Sequence, residues 1–178
     1  VKQLRKNILC ANNLVGFNKP KLANFPNLKL NNVDHIDLVK SIEEEILTLR
    51  PSRIFTHHPN DLNDDHRQIS KACVVASKVF QRRNMFDVSI DLYFMEIQSS
   101  TEWSSPFNES PFMPNVFVDV SDSIDLKIQA LNEYSKVMRV DPHPRSSKMI
   151  KALAGFRGSQ CGRNYAEAFQ LIFAQNLL

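Results

Sequence analysis

The sequence has little of what marks several common protein classes. Its three cysteines are widely and irregularly spaced with no CxxC pair, which argues against a disulfide framework or a thiolate zinc site and favours a reducing compartment. No apolar stretch approaches the ~20 residues of a membrane helix. The net charge of +3 is spread along the chain without a basic block. We therefore expect a cytoplasmic protein that binds neither membranes nor nucleic acid.

Glycine is also scarce. The 178 residues contain only four glycines, Gly16, Gly155, Gly158 and Gly162, and none lies in the strand-to-helix turn that usually opens an α/β nucleotide or sugar site. The chain begins at Val1 rather than at a methionine. We expect a single domain over residues 1–178 that is truncated at its N-terminus and has lost the first strand of its sheet.

The remaining pattern alternates between strands and helices. Apolar spacing predicts helices over 33–49, from about 64 to 82, over 121–137 and over 146–156, with strands over 52–56, 90–97 and 116–120. A last periodic apolar segment runs from Tyr165 to Leu177. This order predicts an α/β, Rossmann-like layered fold with a mostly parallel sheet flanked by helices, in which ligands bind beyond the carboxyl ends of the strands.

The strongest chemical signal lies between Thr56 and Arg67, where three of the five histidines and three aspartates follow a predicted strand. Burying so many unpaired polar groups would cost folding free energy, so we expect the segment to form a polar rim at the end of a strand. Asp65 and His66 open the next helix, which Asp64 or Asp65 is expected to cap. One Asp-His pair cannot supply the three ligands of a catalytic zinc. The plain alternative is a zinc-free structural domain in which Asp65 caps the helix and hydrogen-bonds His66.

Several segments resemble the LmbE-like, or PIG-L, N-acetylglucosaminyl deacetylases, in the family's order from about Leu14 onward. They are FTHHPNDLNDDHR (55–67), SSTEW (99–103), PNVFVD (114–119), KIQAL (127–131), PHPRS (142–146), RGS (157–159) and YAEAF (165–169). The resemblance implies a zinc-dependent hydrolase that removes the N-acetyl group from an N-acetylglucosamine-type conjugate by metal-activated water. The alternative is a catalytically inactive, sugar-binding member of the family. Assembly into a homo-oligomer is left open.

The resemblance also implies roles for residues of the cluster. His66 matches the family's later zinc-binding histidine, and Asp65 is expected to act in catalysis by orienting it. The other ligands and the general base come, in the family, from an N-terminal HPDDE-like motif that this sequence lacks, so we expect them from the missing N-terminal part. Asn63 stands where some members carry a histidine, and we expect it in the substrate crevice. The sequence does not decide between His57 and His58 as the catalytic acid; His58 is the catalytic candidate, ranked slightly ahead as a crevice residue because Pro59 holds it extended.

Four residues farther along the chain complete the expected site. By the same resemblance Tyr165 is a catalytic candidate that supports the oxyanion, against a simple packing role. Arg145 and His143, beside two prolines, are expected to bind substrate, and the alternative is a surface turn. Glu102 is expected to bind sugar hydroxyls or else to pair with an arginine. The sole tryptophan, Trp103, either stacks on a sugar ring or fills the core.

Overall fold

The computed structural model describes residues 2–85, 87–104 and 110–175, and it confirms the α/β class. The chain divides into two compact units. One unit contains the residues up to Asn24 together with Phe117–Glu167, and the other contains Phe25–Val116 together with the residues from Ala168 onward. The helices are α1 (Lys2–Val15), α2 (His35–Leu49), α3 (Asp64–Ala76), α4 (Val79–Arg82), α5 (Ile124–Asn132) and α6 (Ser147–Cys161); the strands are β1 (Arg53–His57), β2 (Asp91–Met95), β3 (Val116–Asp119) and β4 (Ala166–Phe173).

The four strands form one sheet in the order β1-β2-β4-β3. β1 runs parallel to β2, with His57 opposite Met95 at their carboxyl ends. β4 runs antiparallel to β2, so the sheet contains both strand directions. This antiparallel strand is formed by the periodic segment predicted after Tyr165; its last residues, including Leu177, lie outside the described residues.

The core of the larger unit forms between α2 and α3. Leu38, Val39 and Ile46 line the buried face of α2 at helical spacing, and they pack against a cluster that includes Ala72 and Ala76 of α3. The small alanine side chains let the two helices approach closely. α2 ends where Arg50 adopts a positive φ of 46° ahead of Pro51, which cannot continue the helix. The buried face of α2 thus fixes the helix on the core, and the break at Arg50 and Pro51 ends it just before β1 begins.

The described residues of the other unit form α1, α5 and α6, with α1 and α6 both contacting α5. Ser146 caps the start of α6, and its hydroxyl accepts a hydrogen bond from the N–H of Met149 at 3.2 Å. A Cβ atom on Gly158 would lie 2.5 Å from the carbonyl oxygen of Arg163, so only glycine allows the returning chain to lie this close to the helix. No helix among the described residues has the length and apolar character needed to cross a membrane.

Candidate active site

The loops that follow β1 and β2 lie side by side. Because the two strands are parallel, their carboxyl ends fall at the same edge of the sheet, and the chain turns into a polar segment after each one. The N–H of Leu62 donates to the carbonyl oxygen of Ser100 at 3.2 Å and joins the two loops. The two polar runs that the sequence places after strands therefore meet in the folded chain. We call the place where the loop after β1 contacts the loop after β2 the polar junction.

Asp61 is the buried centre of this junction, with only 1% of the residue exposed. Its Oδ1 accepts hydrogen bonds from the N–H of Asn63 at 2.9 Å and from the hydroxyl of Ser100, and its Oδ2 lies 3.3 Å from the hydroxyl of Thr101. Burial alone would raise the pKa of Asp61. Hydrogen bonds from His66, Ser100 and the N–H of Asn63 outweigh burial and hold that pKa below its ordinary value. Asp61 is therefore an ionised carboxylate enclosed by donors.

His66 pairs with this carboxylate. Its Nδ1 lies 3.2 Å from Oδ1 of Asp61. An ionised carboxylate only accepts hydrogen bonds, so Nδ1 carries a proton, and the neutral form of the ring has its lone pair on Nε2. The hydroxyl of Ser100 is 3.4 Å from the same Nδ1 but donates to Asp61, so it faces no imidazole lone pair that could activate it as a nucleophile. The pair leaves Nε2 of His66 available as a base or a metal ligand.

His57 stacks on His66, with ring centroids 4.0 Å apart and ring planes at 22°. Burial, and secondly the neighbouring His66, lower the pKa of His57 to about 4 against the opposing effect of Asp61. His57 is therefore uncharged at neutral pH. Its Nδ1 is buried and has no hydrogen-bond partner within the described part of the chain, which is uncommon for a buried polar atom.

His58 is buried with its ring edge-on to Phe94 and Phe112, at centroid distances of 5.4 and 5.8 Å. Its Nδ1 accepts a hydrogen bond from the N–H of Asn60 at 3.2 Å. Burial lowers the pKa of His58 more than Asp61 raises it. The ring is therefore neutral, and because Nδ1 is an acceptor, His58 can donate a proton only through Nε2.

Asn63 caps α3. Its side-chain oxygen accepts a hydrogen bond from the N–H of Asp65 at 3.0 Å, which satisfies one of the unpaired donors at the helix start. The N-cap of α3 is therefore Asn63, one residue before Asp64 and two before Asp65, the residues expected from the sequence to cap the helix. In this structure the Asn63 side chain is engaged with the backbone of its own helix.

Asp65 has a different set of partners from the one that its place beside His66 suggested. Its two carboxylate oxygens accept hydrogen bonds from the N–H groups of Leu28, at 2.6 Å, and of Leu30, at 3.0 Å. Asp65 therefore fixes a turn that precedes α2. The carboxylate in contact with Nδ1 of His66 belongs to Asp61.

Glu102 shapes the second loop. Its carboxylate accepts hydrogen bonds from the N–H groups of Ser99, at 2.5 Å, and of Ser100, at 3.2 Å, while Ser99 adopts a positive φ of 62°. These contacts hold the backbone that carries the Ser100 hydroxyl toward Asp61. Trp103, next in the chain, is 47% exposed, so it does not fill the core.

Tyr165, His143 and Arg145 belong to the unit that contains α6. The ring of Tyr165 lies beside Gly155, and Nζ of Lys151 is 5.6 Å from the ring centroid. Nδ1 of His143 accepts a hydrogen bond from the N–H of Arg145 at 3.0 Å and closes the turn before α6. Within their unit, Tyr165 packs on a helix and the other two residues form a structured loop.

The fit of the site to a zinc ion can be judged from the available ligands. Among residues 2–85, 87–104 and 110–175, no three His, Cys, Asp or Glu side chains are placed to hold a metal ion together. Asp61 is occupied by hydrogen-bond donors, and Asp65 is bound to backbone N–H groups. His66 offers one ligand atom where a catalytic zinc needs three protein ligands. The described residues alone therefore do not form a zinc site.

Sequence reasoning missed two members of this cluster, Asp61 and Ser100. Both lie within the family-like segments, so they were visible as motif residues but had no assigned role. Their contact joins positions 39 residues apart. The available signal was the prediction that two polar runs end neighbouring parallel strands, because that places residues of the two runs within reach of each other.

No family model matches the chain, and no curated protein matches it. Its fold is similar to that of the conserved protein TT1542 from Thermus thermophilus, with 21% identity, a TM-score of 0.75, and coverage of 99% of this chain and 76% of that one. N,N′-diacetylchitobiose deacetylase from Pyrococcus horikoshii has 20% identity and a TM-score of 0.66, with 96% and 63% covered. GalB, the 4-carboxy-2-hydroxymuconate hydratase from Pseudomonas putida, has 17% identity and a TM-score of 0.73, with 99% and 74% covered. The last two proteins share a fold with this chain, yet one is a deacetylase and the other a hydratase, so the fold alone does not decide the function.

Proposed function

We propose that the protein is a hydrolase that removes the N-acetyl group from an N-acetylglucosamine-type sugar conjugate. The observation that carries this proposal is the pairing of buried, ionised Asp61 with Nδ1 of His66 at the carboxyl end of β1. Two further points support it. The pair lies in the segment that resembles the deacetylase family, and the fold is also that of the diacetylchitobiose deacetylase.

The chemical logic starts from Asp61. By holding the proton on Nδ1, its carboxylate keeps the Nε2 lone pair of His66 pointing away from the buried junction. Hydrolysis of an acetamide needs such a positioned group, together with a donor to the developing oxyanion and an acid for the departing amine. We assign His66 to the reacting centre and Asp61 to its orientation.

Other roles follow as parts of the same proposal. Nε2 of His58 is a candidate donor to the leaving amine, and Tyr165 is a candidate donor to the oxyanion. Asn63 and Asp65 are proposed to act through backbone they hold in place, and Glu102 through the loop that carries Ser100. Arg145 and His143 are proposed to bind the sugar.

Zinc belongs to the proposal as a cofactor of the full-length protein. The described residues offer His66 as one ligand and do not complete the set, so no step of the reaction is assigned to the metal here. Zinc content of the full-length protein, measured for the wild type and for His66→Ala, tests this part. His35→Ala, a change at an exposed histidine at the start of α2, is the control. Equal zinc in all three proteins would contradict the ligand assignment.

Activity is tested by acetate release from a panel of N-acetylglucosamine conjugates with the full-length protein. We expect the wild type and His35→Ala to release acetate at equal rates. His66→Ala should lose at least about 100-fold, because removing a residue that merely supports a metal ligand already costs about 10- to 100-fold in activity. Asp61→Asn should lose activity to a lesser extent, because an amide keeps the shape of the side chain but accepts only through one atom.

The alternative function is sugar binding without hydrolysis. It is compatible with the same pairing of Asp61 and His66, because Nε2 of His66 could accept a hydrogen bond from a sugar without any reaction. Isothermal titration with the same conjugates separates the two functions. Binding that is never accompanied by acetate release would support the alternative and would overturn the hydrolase proposal.

A further inference from the structure

The ring of His66 is held from two sides. At one edge, its Nδ1 lies 3.2 Å from Oδ1 of Asp61. On one face, the ring of His57 stacks against it, with the ring centroids 4.0 Å apart and the ring planes at 22°. The side chain of His66 still has 22% of its surface exposed, so a ligand can reach the ring from outside. His66 is therefore both restrained and accessible.

The hydrogen bond to Asp61 does not by itself fix the plane of the His66 ring. It anchors one nitrogen, and the χ2 torsion of a histidine is broad, so a ring held at one atom can still turn about the line to its partner. Such a turn would change the direction of the other nitrogen, Nε2. A flat ring packed nearly parallel to His66 opposes the turn, because a tilt would lose contacts on one side and cause overlap on the other.

His57 is well placed to supply this second restraint. It is the last residue of β1 and lies in register with Met95 of β2, so its backbone belongs to the parallel ladder. Its Nδ1 is buried and has no hydrogen-bond partner among the residues that the structure describes. Leaving a buried nitrogen unpaired costs free energy that an apolar side chain would avoid. What the ring of His57 does contact is the face of His66.

We propose that His57 is a positioning residue for His66, and that its stacked ring sets the direction in which Nε2 of His66 points. The inference rests on the proposed function, in which His66 belongs to the reacting centre. Asp61 determines that Nδ1 carries a proton, and His57 determines where the other nitrogen is aimed. The flat ring of His57, and not its nitrogen atoms, has this role, and it does not require contact with the substrate.

Three substitutions in the full-length protein separate the ring of His57 from its nitrogen atoms. His57→Phe keeps a flat ring without nitrogen, His57→Leu removes both, and His57→Gln keeps a polar nitrogen without a ring. Phe55→Leu is the matched control. Phe55 lies two residues earlier in β1 and stacks on Tyr93 with ring centroids 5.1 Å apart and planes at 21°, but it has no assigned role in the site. Urea denaturation establishes that each variant is folded.

The orientation of His66 is measured without turnover, by NMR relaxation of the ring C–H groups in protein with ¹³C-labelled histidine. The spectrum of His66→Ala assigns the signals of His66. We expect ring order parameters of about 0.85 in the wild type, His57→Phe and Phe55→Leu, and below about 0.6 in His57→Leu and His57→Gln. A His66 ring that stays equally rigid in folded His57→Leu would overturn the inference.

Acetate release tests whether this orientation matters for the reaction. In His57→Leu and His57→Gln, kcat should fall about tenfold while KM changes less than about twofold, because the substrate still binds and the reacting group is misaligned. His57→Phe and Phe55→Leu should keep kcat within about threefold of the wild type.

The opposite ranking, with His57→Gln active and His57→Phe impaired, would assign the role to a nitrogen and contradict the inference. Unchanged kcat in His57→Leu, despite a mobile His66 ring, would also contradict it. If the wild type itself releases no acetate from any conjugate, the proposed function fails, and the NMR measurement alone decides whether His57 positions His66.

Discussion

Two loops in this protein have the same local design and different surroundings. In the loop before α3, His58 precedes a proline and its Nδ1 accepts the N–H two residues later; His143 does the same in the loop before α6. Each loop ends in a side chain that caps the following helix, Asn63 in one and Ser146 in the other. Histidine, proline and a helix cap therefore give a well-defined polar loop in both places and do not by themselves distinguish the two loops.

The difference lies in the aspartate of each loop. Asp61 is buried and bridges to Ser100 of a second loop, whereas Asp141 is exposed and pairs with Lys148 at 3.0 Å. A charge with one solvent-exposed partner adds little free energy, while a buried charge with several donors is costly to disturb. The comparison teaches that the buried carboxylate, and not the histidine-rich composition, singles out the candidate site.

The largest predicted effect comes from removing that carboxylate. Asp61→Ala should lower the free energy of unfolding by about 3 kcal/mol, because it leaves His66, Ser100 and a backbone N–H without their buried acceptor. Urea denaturation measures the change. Asp141→Ala, the matching change in the other loop, should cost less than about 0.5 kcal/mol. Similar losses in the two variants would refute the contrast between the loops.

The next effect concerns Asp65. Asp65→Ala should cost about 2 kcal/mol in the free energy of unfolding, because the N–H groups of Leu28 and Leu30 lose their acceptor. Asp64→Ala is the control, since Asp64 is half-buried and pairs with Arg67 within the same helix; it should cost about 0.5 kcal/mol. Thermal melts of both variants provide the comparison. An Asp65→Ala protein as stable as the Asp64→Ala protein would show that the turn does not depend on this carboxylate.

The sequence identifies His66 as a site residue but does not identify Asp61 as the carboxylate in contact with it, and the reason is geometric. The sequence pattern favours Asp65 as the carboxylate that orients His66 because the two residues are adjacent in the chain. Consecutive residues on a helix, however, point in different directions. Asp61 reaches His66 because the loop curls back over the helix start. The antiparallel direction of β4 was likewise hidden, since an apolar period shows that a segment is buried and does not show which way it pairs.

The prediction succeeded where local signals suffice. Apolar spacing and Pro51 located α2 closely, and the polar run after Phe55 marked the carboxyl end of β1. The Ser100 contact with Asp61 depends on the pairing of two strands, which no local pattern encodes. The part of the junction that contains Asp61 and His66 can therefore be predicted from one segment of sequence, whereas the contribution of Ser100 can be known only from the fold.

A smaller effect tests whether the two loops really are alike locally. Asn63→Ala and Ser146→Ala should each cost about 1 kcal/mol, the usual value of a helix N-cap. The backbone N–H of Asn63 still reaches Asp61 in the variant, so the buried network stays intact. Parallel urea titrations measure both. If Asn63→Ala lowers the free energy of unfolding several times more than Ser146→Ala does, the cap of α3 depends on the hydrogen bonds around Asp61, and the two cannot be treated separately.

The smallest effect is expected at the surface ion pair of the second loop. Lys148→Ala should change the free energy of unfolding by less than about 0.5 kcal/mol, because its side chain is largely exposed and its partner Asp141 remains solvated. Chemical denaturation at low and high salt measures it. A loss above about 1 kcal/mol that persists in high salt would contradict the view of this loop as a solvated one.

The bridge between Asp61 and Ser100 also has a consequence for how the molecule opens. It spans 39 residues and ties together the ends of two paired strands, so the site cannot loosen one loop at a time. Amide hydrogens of Leu62 and Asn63, both donors within the bridge, should exchange with solvent at the slow rate of global unfolding of their unit. In this chain the carboxylate proposed to orient His66 is therefore among the last groups to be released when the fold opens.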